Sequence, residues 1–318
     1  MKGEMKAARL HAVNQPLSID RVPIPECGPG EVLVQVKACG ICGSDLHMLD
    51  GTTKLGYYPM TLGHEFAGVI AEVGPEVEGW QSGDRVCVDF LVTCGQCLQC
   101  LTGRESICPN RKGLGLATDG GFAEFAKVPA KNLISLPENI PFEIGAIITD
   151  AVATPFHAIT KRSNVKLGDT VVVFGAGGLG VHAIQLLRLC GTFIIAIDIS
   201  DTILERAKTF GADVTINAQV TDPAAEVKKI TSGMGADVAF EFIGLQETIY
   251  QTVNCLRPGG RAVIVGLGGE DIRLVNPGIY VRSEFEVVGS YAFERKEIEK
   301  LVSLVAQGKL DLSRSVTK

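Results

Sequence analysis

Hydrophobic and polar positions follow two different rhythms along this chain. Up to about residue 150, short apolar runs such as GEVLVQVKACG, FAGVIAEVG, DRVCVDF and FAEFAKVPA are separated by the turn-forming stretches CGPGE, LDGTT and GWQSGD. Apolar runs of that length, bounded by Gly, Pro, Asp and Ser, read as strands. The first half is therefore expected to be β throughout, with long loops. From Asp169 the rhythm becomes strand then helix: TVVVF precedes LGVHAIQLLRLC, FIIAIDI precedes DTILERAKTFGA, DVAFEFIG precedes QETIYQTVNCLRPGG, and RAVIVGLG follows. Alternation of this kind implies a parallel, doubly wound sheet. With 318 residues the chain exceeds what one core usually supports, so two domains are expected.

Composition narrows the functional classes. Hydrophobic residues make up 46% of the chain and charged residues 21%, a globular balance that argues against a disordered domain. A formal charge of −6 leaves no electrostatic footprint for nucleic acid or for an anionic membrane, so small-molecule partners are favoured. The opening MKGEMKAARLHAVNQ lacks the apolar core and cleavage site of a secretory signal, which makes a cytosolic location the expectation. The longest apolar stretch, VVVFGAGGLGVHAIQLL from Val171, is broken by glycines, His182 and Gln185; it reads as strand, turn and helix, with no membrane span.

That stretch contains Gly175, Gly177 and Gly180 as G-x-G-x-x-G directly after a strand, with Gly178 and Leu179 between the last two at the start of a helix. The first glycine permits a tight turn, the second lets a pyrophosphate approach the backbone, and the third lets helix and strand pack closely. With 37 glycines in the chain, the motif alone is weak. Its context strengthens it: Asp198 ends the next strand, where a carboxylate can take both ribose hydroxyls of NAD and repel the 2′-phosphate of NADP. The rival reading is a glycine-rich turn in a flavodoxin-like sheet with Asp198 as a helix cap.

Four of the ten cysteines, Cys94, Cys97, Cys100 and Cys108, form C-x2-C-x2-C-x7-C. In a reducing cytosol clustered thiols bind metal or do redox chemistry more readily than they form disulfides. Four thiolates suit tetrahedral zinc and leave no position for substrate, so such a site is structural. A C-x-x-C redox pair and an iron–sulfur cluster are the rivals. A second set is scattered: GICGSDLH contributes Cys42, Ser44, Asp45 and His47, and TLGHEFAG contributes His64 and Glu65. One thiolate and one imidazole bind zinc well, and three protein ligands leave a fourth position open. Taken singly, Cys42 reads equally as a small buried hydrophobe and His64 as a core histidine, and the third ligand must come from elsewhere.

Together these residues resemble the zinc-dependent medium-chain alcohol dehydrogenase family. The likeness runs from MKAARL through VPIPECGPGEVLVQVKACGICGSDLH, GHEFAGVIAEVG, GDRVCVDFLVTCGQCLQC and GGFAEFAKVPA to the dinucleotide motif and LRPGGRAVIVG, nearly the whole chain. It implies a GroES-like, β-rich catalytic domain over residues 1–153 with a structural-zinc lobe at about 92–112, and a Rossmann NAD-binding domain over 154–290. Residues 291–318 would be a segment returning toward the catalytic domain, cut short at LSRSVTK where the family continues for a few dozen residues. The family's active site lies in the cleft between its two domains.

By this likeness Cys42 and His64 are catalytic zinc ligands and Asp150, in TDAVATPFHA, fills the third position, an aspartate where the liver-type branch has cysteine. Carboxylate carries the same single charge as thiolate and also suits zinc. TDAVATPFHA and GLATDGGFAEF look most like a branch associated with hydroxyacyl-CoA and cyclic secondary alcohols. Glu65 matches an alternate ligand beside the zinc, and Asp45 would orient His64 through its other nitrogen. Ser44 matches the hydroxyl that takes the alcohol proton, His47 the relay to solvent, and Thr154 the residue packed on nicotinamide. Ile243, Gly266, Leu267 and Ser290 fall where the family's cofactor-lining loops lie. The resemblance thus implies two zinc ions per chain, NAD as cofactor, an alcohol or carbonyl substrate, and a homodimer or homotetramer. His157 and His182 are expected in helices without chemistry, and Cys27, Cys39, Cys87, Cys190 and Cys255 as packing thiols. Ile203 stands where the family often has Lys or Arg, which removes one adenosine contact. Two competitors remain: a zinc-independent quinone-reductase-like enzyme, and a zinc-ribbon interaction module fused to a Rossmann domain.

Overall fold

The structure, a computed structural model, describes residues 2–317. It divides into two compact units, one reaching Ala153 and resuming at Phe293, the other Thr154–Ala292. The first unit carries β1 (Glu4–Leu10), β2 (Ser18–Pro23), β3 (Glu31–Gly40), β4 (Met60–Thr61), β5 (Glu65–Val73), β6 (Arg85–Val88), β7 (Leu91–Val92), β8 (Lys112–Gly113), β9 (Phe125–Pro129) and β10 (Leu133–Ser135). They pair as a sheet of order β2-β1-β4, a five-stranded sheet of order β10-β6-β5-β3-β9, and the short β7-β8 ribbon. Every pairing in the five-stranded sheet is antiparallel.

Strict alternation fails in β3, where Val32, Leu33 and Val34 are all buried. The register against β5 shifts between Leu33 and Val34, and a bulge there turns successive side chains to the same side. The expectation of an all-β first half also needs correcting, because helices occupy Gly43–Leu49, Leu98–Leu101 and Phe142–Ile147, the last running on through Ile148–Val152. Ile144, Ile148 and Val152 are buried at four-residue spacing, a helical stripe hidden inside an apolar run that also satisfies a strand.

In the second unit β11 (Thr170–Phe174), β12 (Phe193–Asp198), β13 (Val214–Asn217), β14 (Ala236–Glu241), β15 (Leu256–Ile264) and β16 (Glu286–Gly289) form one sheet of order β13-β12-β11-β14-β15-β16. All its pairings are parallel. Val171 to Phe174 are buried without alternation, as in a sheet covered by helices on both faces. Apolar residues of β11, β12, β14 and β15 share one core with Val227 and Val253. The doubly wound sheet expected from the alternating rhythm is present. Sequence rhythm did not separate β13 or β16, each four residues long, and β15 begins at Leu256, inside residues that read as the end of a helix. The chain order reverses at β11, so the carboxyl ends of β11 and β14 form the crevice where ligands bind in such sheets.

Candidate functional site

In the first unit, one ligand atom from each of Cys42, His64, Glu65 and Asp150 lies within 4.8 Å of the others. Sheet register begins the convergence: β3 and β5 pair so that Gly40 stands opposite Glu65, which brings the turn after β3 beside the residues that open β5. A Cβ on Gly40 would lie 2.2 Å from Glu65 Oε2, so only glycine there leaves space for this carboxylate. Cys42 is the N-cap of Gly43–Leu49, and the Asp45 carboxylate closes the cap by accepting from Cys42 N at 2.8 Å. Asp150 sits where the helical ladder widens to the π type, Ile148–Val152. Pro155 just beyond it has no N–H to give to an ordinary ladder. Such widened turns recur at functional sites because they re-aim a side chain.

The geometry around the histidine is two-sided. His64 Nε2 lies 3.4 Å from Asp150 Oδ2 and Nδ1 lies 3.6 Å from Asp45 Oδ1, all these groups being buried. Cys42 Sγ lies 3.6 Å from Asp150 Oδ2 and 3.8 Å from Ser44 Oγ. The His64 ring packs edge-on against Phe90 with centroids 5.2 Å apart, and Phe90 against Phe293 at 5.5 Å. His47 is half-exposed on the same helix as Ser44, with Nδ1 4.0 Å from Asp50.

The electrostatics ask for a cation. Burial, reinforced by the charge on Asp150, pushes the Glu65 carboxyl up to about 8 and raises the Cys42 thiol above its ordinary value. Burial works to lower His64, but hydrogen bonding to Asp150 and Asp45 outweighs it and holds the imidazole well above its usual value. All three shifts reduce net negative charge, as expected where two carboxylates and a thiol converge with one imidazole to balance them. A divalent cation among these donors would reverse the thiol and carboxylate shifts, and one sulfur, one imidazole nitrogen and carboxylate oxygen are zinc donors.

The four-cysteine set closes on itself. Sγ separations are 3.5 Å for Cys97–Cys100, 3.8 Å for Cys97–Cys108, 3.6 Å for Cys94–Cys108 and 4.0 Å for Cys94–Cys100. Sulfurs on one tetrahedral zinc, each at about 2.3 Å, stand about 3.8 Å apart. All ten cysteines are free thiols. The N–H groups of Gln96 and Cys97 bring Cys94 down to about 6, so one thiolate is stabilised by the loop itself. Glu294 fastens this lobe: its carboxylate accepts from Glu105 N at 2.7 Å and Ser106 Oγ at 2.9 Å. Arg295 next to it donates to the carbonyls of Lys131 and Leu133. Sequence reading assigned no role to Phe90, Phe293, Glu294 or Arg295, since their contacts lie far from them in the chain.

In the second unit, Gly177 is the N-cap of Gly178–Leu189, and a Cβ added to Gly177 or Gly178 would meet nothing within 4 Å. At Gly180, by contrast, a Cβ would lie 1.8 Å from the carbonyl oxygen of Gly175. Open backbone at the helix N-terminus and tight packing at the third glycine are what a pyrophosphate cradle requires. Leu179 lies in the first turn of this helix. Asp198 Oδ2 accepts from Ala176 N at 3.0 Å and Oδ1 from Ile199 N at 2.8 Å, so the carboxylate stands against the glycine loop while also capping its own turn. Ile243 and Leu267 are exposed at the ends of β14 and β15, and a Cβ on Gly266 would be 2.1 Å from Gly244 N. Ser290 is buried with its Oγ lacking a hydrogen-bond partner, and Thr154 is buried in the helix Ala153–His157. His157 and His182 are buried helical residues.

Comparison with known proteins agrees with both units. Residues 28–138 match the alcohol dehydrogenase GroES-like domain and residues 178–307 match the zinc-binding dehydrogenase domain. An NAD-dependent alcohol dehydrogenase of Sulfurisphaera tokodaii is 36% identical over 316 residues, covering 96% of this chain and 90% of the relative. Among solved structures, the alcohol dehydrogenase of Aeropyrum pernix is 39% identical with a TM-score of 0.88, covering 96% of this chain and 90% of that one. A protein described as a zinc-binding dehydrogenase from Sinorhizobium meliloti 1021, bound to NADP, is 35% identical with a TM-score of 0.90, covering 98% and 91%.

Proposed function

Since this chain belongs to the zinc-type medium-chain alcohol dehydrogenase family, we propose that it is a zinc-dependent oxidoreductase that transfers hydride between a secondary or cyclic alcohol and NAD. The observation that carries this reading is the meeting of half-buried Cys42 with buried His64, Glu65 and Asp150, a donor set short of positive charge. Cys42, His64 and Asp150 would hold the catalytic zinc, with Glu65 beside them as an alternate donor. Cys94, Cys97, Cys100 and Cys108 would hold a second, structural zinc.

When bound, the catalytic ion supplies Lewis-acid polarisation of an alcohol or carbonyl oxygen, and NAD supplies the hydride acceptor. The protein's own groups do the rest. Asp45 holds the Cys42 turn and stands 3.6 Å from His64 Nδ1, where its charge favours the ring orientation that leaves Nε2 to donate its lone pair. Ser44, beside Cys42 Sγ, is the hydroxyl that takes the alcohol proton, and half-exposed His47 passes it to solvent. Gly175, Gly177, Gly178, Leu179 and Gly180 receive the pyrophosphate, Asp198 the adenosine ribose, and Thr154, Ile243, Gly266, Leu267 and Ser290 the nicotinamide half. The secondary or cyclic substrate class rests on the likeness of TDAVATPFHA and GLATDGGFAEF to that branch. A homodimer or homotetramer is proposed on the family likeness alone. No helix among the described residues is long and apolar enough to cross a membrane.

The test is metal analysis of the purified protein beside initial rates on primary, secondary, cyclic and polyol substrates with NAD and with NADP. Two zincs per chain and NAD-linked turnover of secondary or cyclic alcohols are expected. A metal-free, active protein would point to the quinone-reductase branch, one zinc without turnover to the zinc-ribbon alternative, and equal efficiency with NADP would remove the role given to Asp198.

A further inference from the structure

Glu241 ends β14 with its carboxylate wholly buried. One oxygen, Oε1, accepts from Ile243 N at 2.9 Å, Gly244 N at 2.8 Å and Thr248 Oγ at 2.7 Å. The other, Oε2, is buried with no hydrogen-bond partner. The main-chain carbonyl of the same residue accepts from Val265 N at 2.8 Å and Gly266 N at 3.0 Å. One residue therefore fastens two loops, the turn after β14 by its side chain and the turn after β15 by its backbone. The turns are pressed together as well, a Cβ on Gly268 lying 1.8 Å from Gly244 O, and the first of them also abuts the glycine loop, where a Cβ on Gly175 would lie 2.7 Å from Ile243 Cγ1.

Sheet order says what these two loops serve. Asp198 ends β12 on one side of β11, and the glycine loop follows β11 itself, so adenosine and pyrophosphate occupy that side and the centre. The remaining half of a dinucleotide must lie over the carboxyl ends of β14 and β15, on the other side of the switch point. We infer that Glu241 is a positioning residue for the nicotinamide half of the cofactor: it sets the backbone of Ile243–Gly244 and of Val265–Gly266 without touching the nucleotide. The inference rests on the NAD reading above and goes beyond it by assigning an unrecognised carboxylate to one half of the ligand.

The test compares two ligands that differ in that half. NADH is titrated by fluorescence and ADP by calorimetry against the unmodified holoenzyme and the variants Glu241→Ala, Glu241→Gln and Thr248→Val. Glu241→Ala is expected to raise the NADH Kd about tenfold while ADP stays within about twofold, the loss of a charge-assisted tie being felt on one side of the site only. Glu241→Gln, which can keep an acceptor oxygen at the Oε1 position, should stay within about threefold of the parent for NADH. Thr248→Val removes one of the three donors and should fall between; it decides the matter if Glu241→Ala fails to fold. Equal losses for ADP and NADH, or unchanged NADH affinity in the Ala and Val variants, would overturn the positioning role. Failure of the unmodified protein to bind either nucleotide would instead overturn the cofactor reading itself.

Discussion

Asp150 is the third donor proposed for the catalytic zinc, and buried His64 and half-buried Cys42 lie 3.4 and 3.6 Å from its Oδ2. Asp150→Ala should lose one zinc and lower turnover more than about 100-fold, beyond the loss typical of groups that merely support a ligand. Asp150→Cys should regain metal and part of the rate, because thiolate restores the charge with a slightly longer bond. Metal content and kinetics measured on one preparation check both, and an Ala variant with two zincs and normal turnover would leave Glu65 as third ligand. Asp89 makes a separate point about pH. Burial pushes its carboxyl from 3.8 up to about 7, despite the bond it accepts from Leu91 N. The folded state thus keeps a proton that the unfolded chain has released, and Asp89 costs stability progressively as pH rises from about 4 to 7. Asp89→Asn keeps an acceptor for Leu91 N and should gain about 2–4 kcal/mol on the parent between pH 4 and pH 7. Urea midpoints for both proteins across that range read the difference directly, and a constant gap would show that Asp89 titrates normally.

The lobe between β7 and β8, which carries the helix Leu98–Leu101, is expected to draw its stability from zinc on its four sulfurs and from the bonds that Glu294 accepts. Leu98 and Leu101 of the helix Leu98–Leu101 are exposed, so little apolar burial holds that turn. A closed four-thiolate site supplies folding energy in place of a core. Cys94→Ser should therefore lose one zinc per chain and lower the thermal midpoint, while the folded fraction keeps its affinity for NADH. Calorimetry beside metal analysis tests this; a variant with an unchanged midpoint and two zincs would mean that the lobe is held by its protein contacts alone.

At the scale of the molecule, metal donors and cofactor loop lie in different units, the first reaching Ala153 and the second spanning Thr154–Ala292. Removing metal with a chelator should accordingly abolish turnover and leave NADH binding within about twofold of its starting value. A parallel loss of nucleotide binding would show that the two units are coupled through the metal. The family, the β-rich first half and the parallel sheet of the second were legible in the chain. Gly175 to Gly180 and Cys94 to Cys108 could be proposed from the chain because each set lies within about one turn or loop, where spacing and geometry are nearly the same thing. Cys42, His64 and Asp150 could be joined only by resemblance. They stand 22 and 86 positions apart in the chain, and what brings them together is the pairing of Gly40 with Glu65 and the widened helical turn at Asp150. Glu241 carried no signal beyond an acidic residue closing an apolar run. Its partners Ile243, Gly244 and Thr248 are near in sequence, but its burial, and its carbonyl's hold on Val265 and Gly266, exist only once β14 and β15 lie side by side. Local chemistry follows from residue order, whereas burial and the meeting of distant groups follow from strand register, which the whole hydrophobic core has to decide at once.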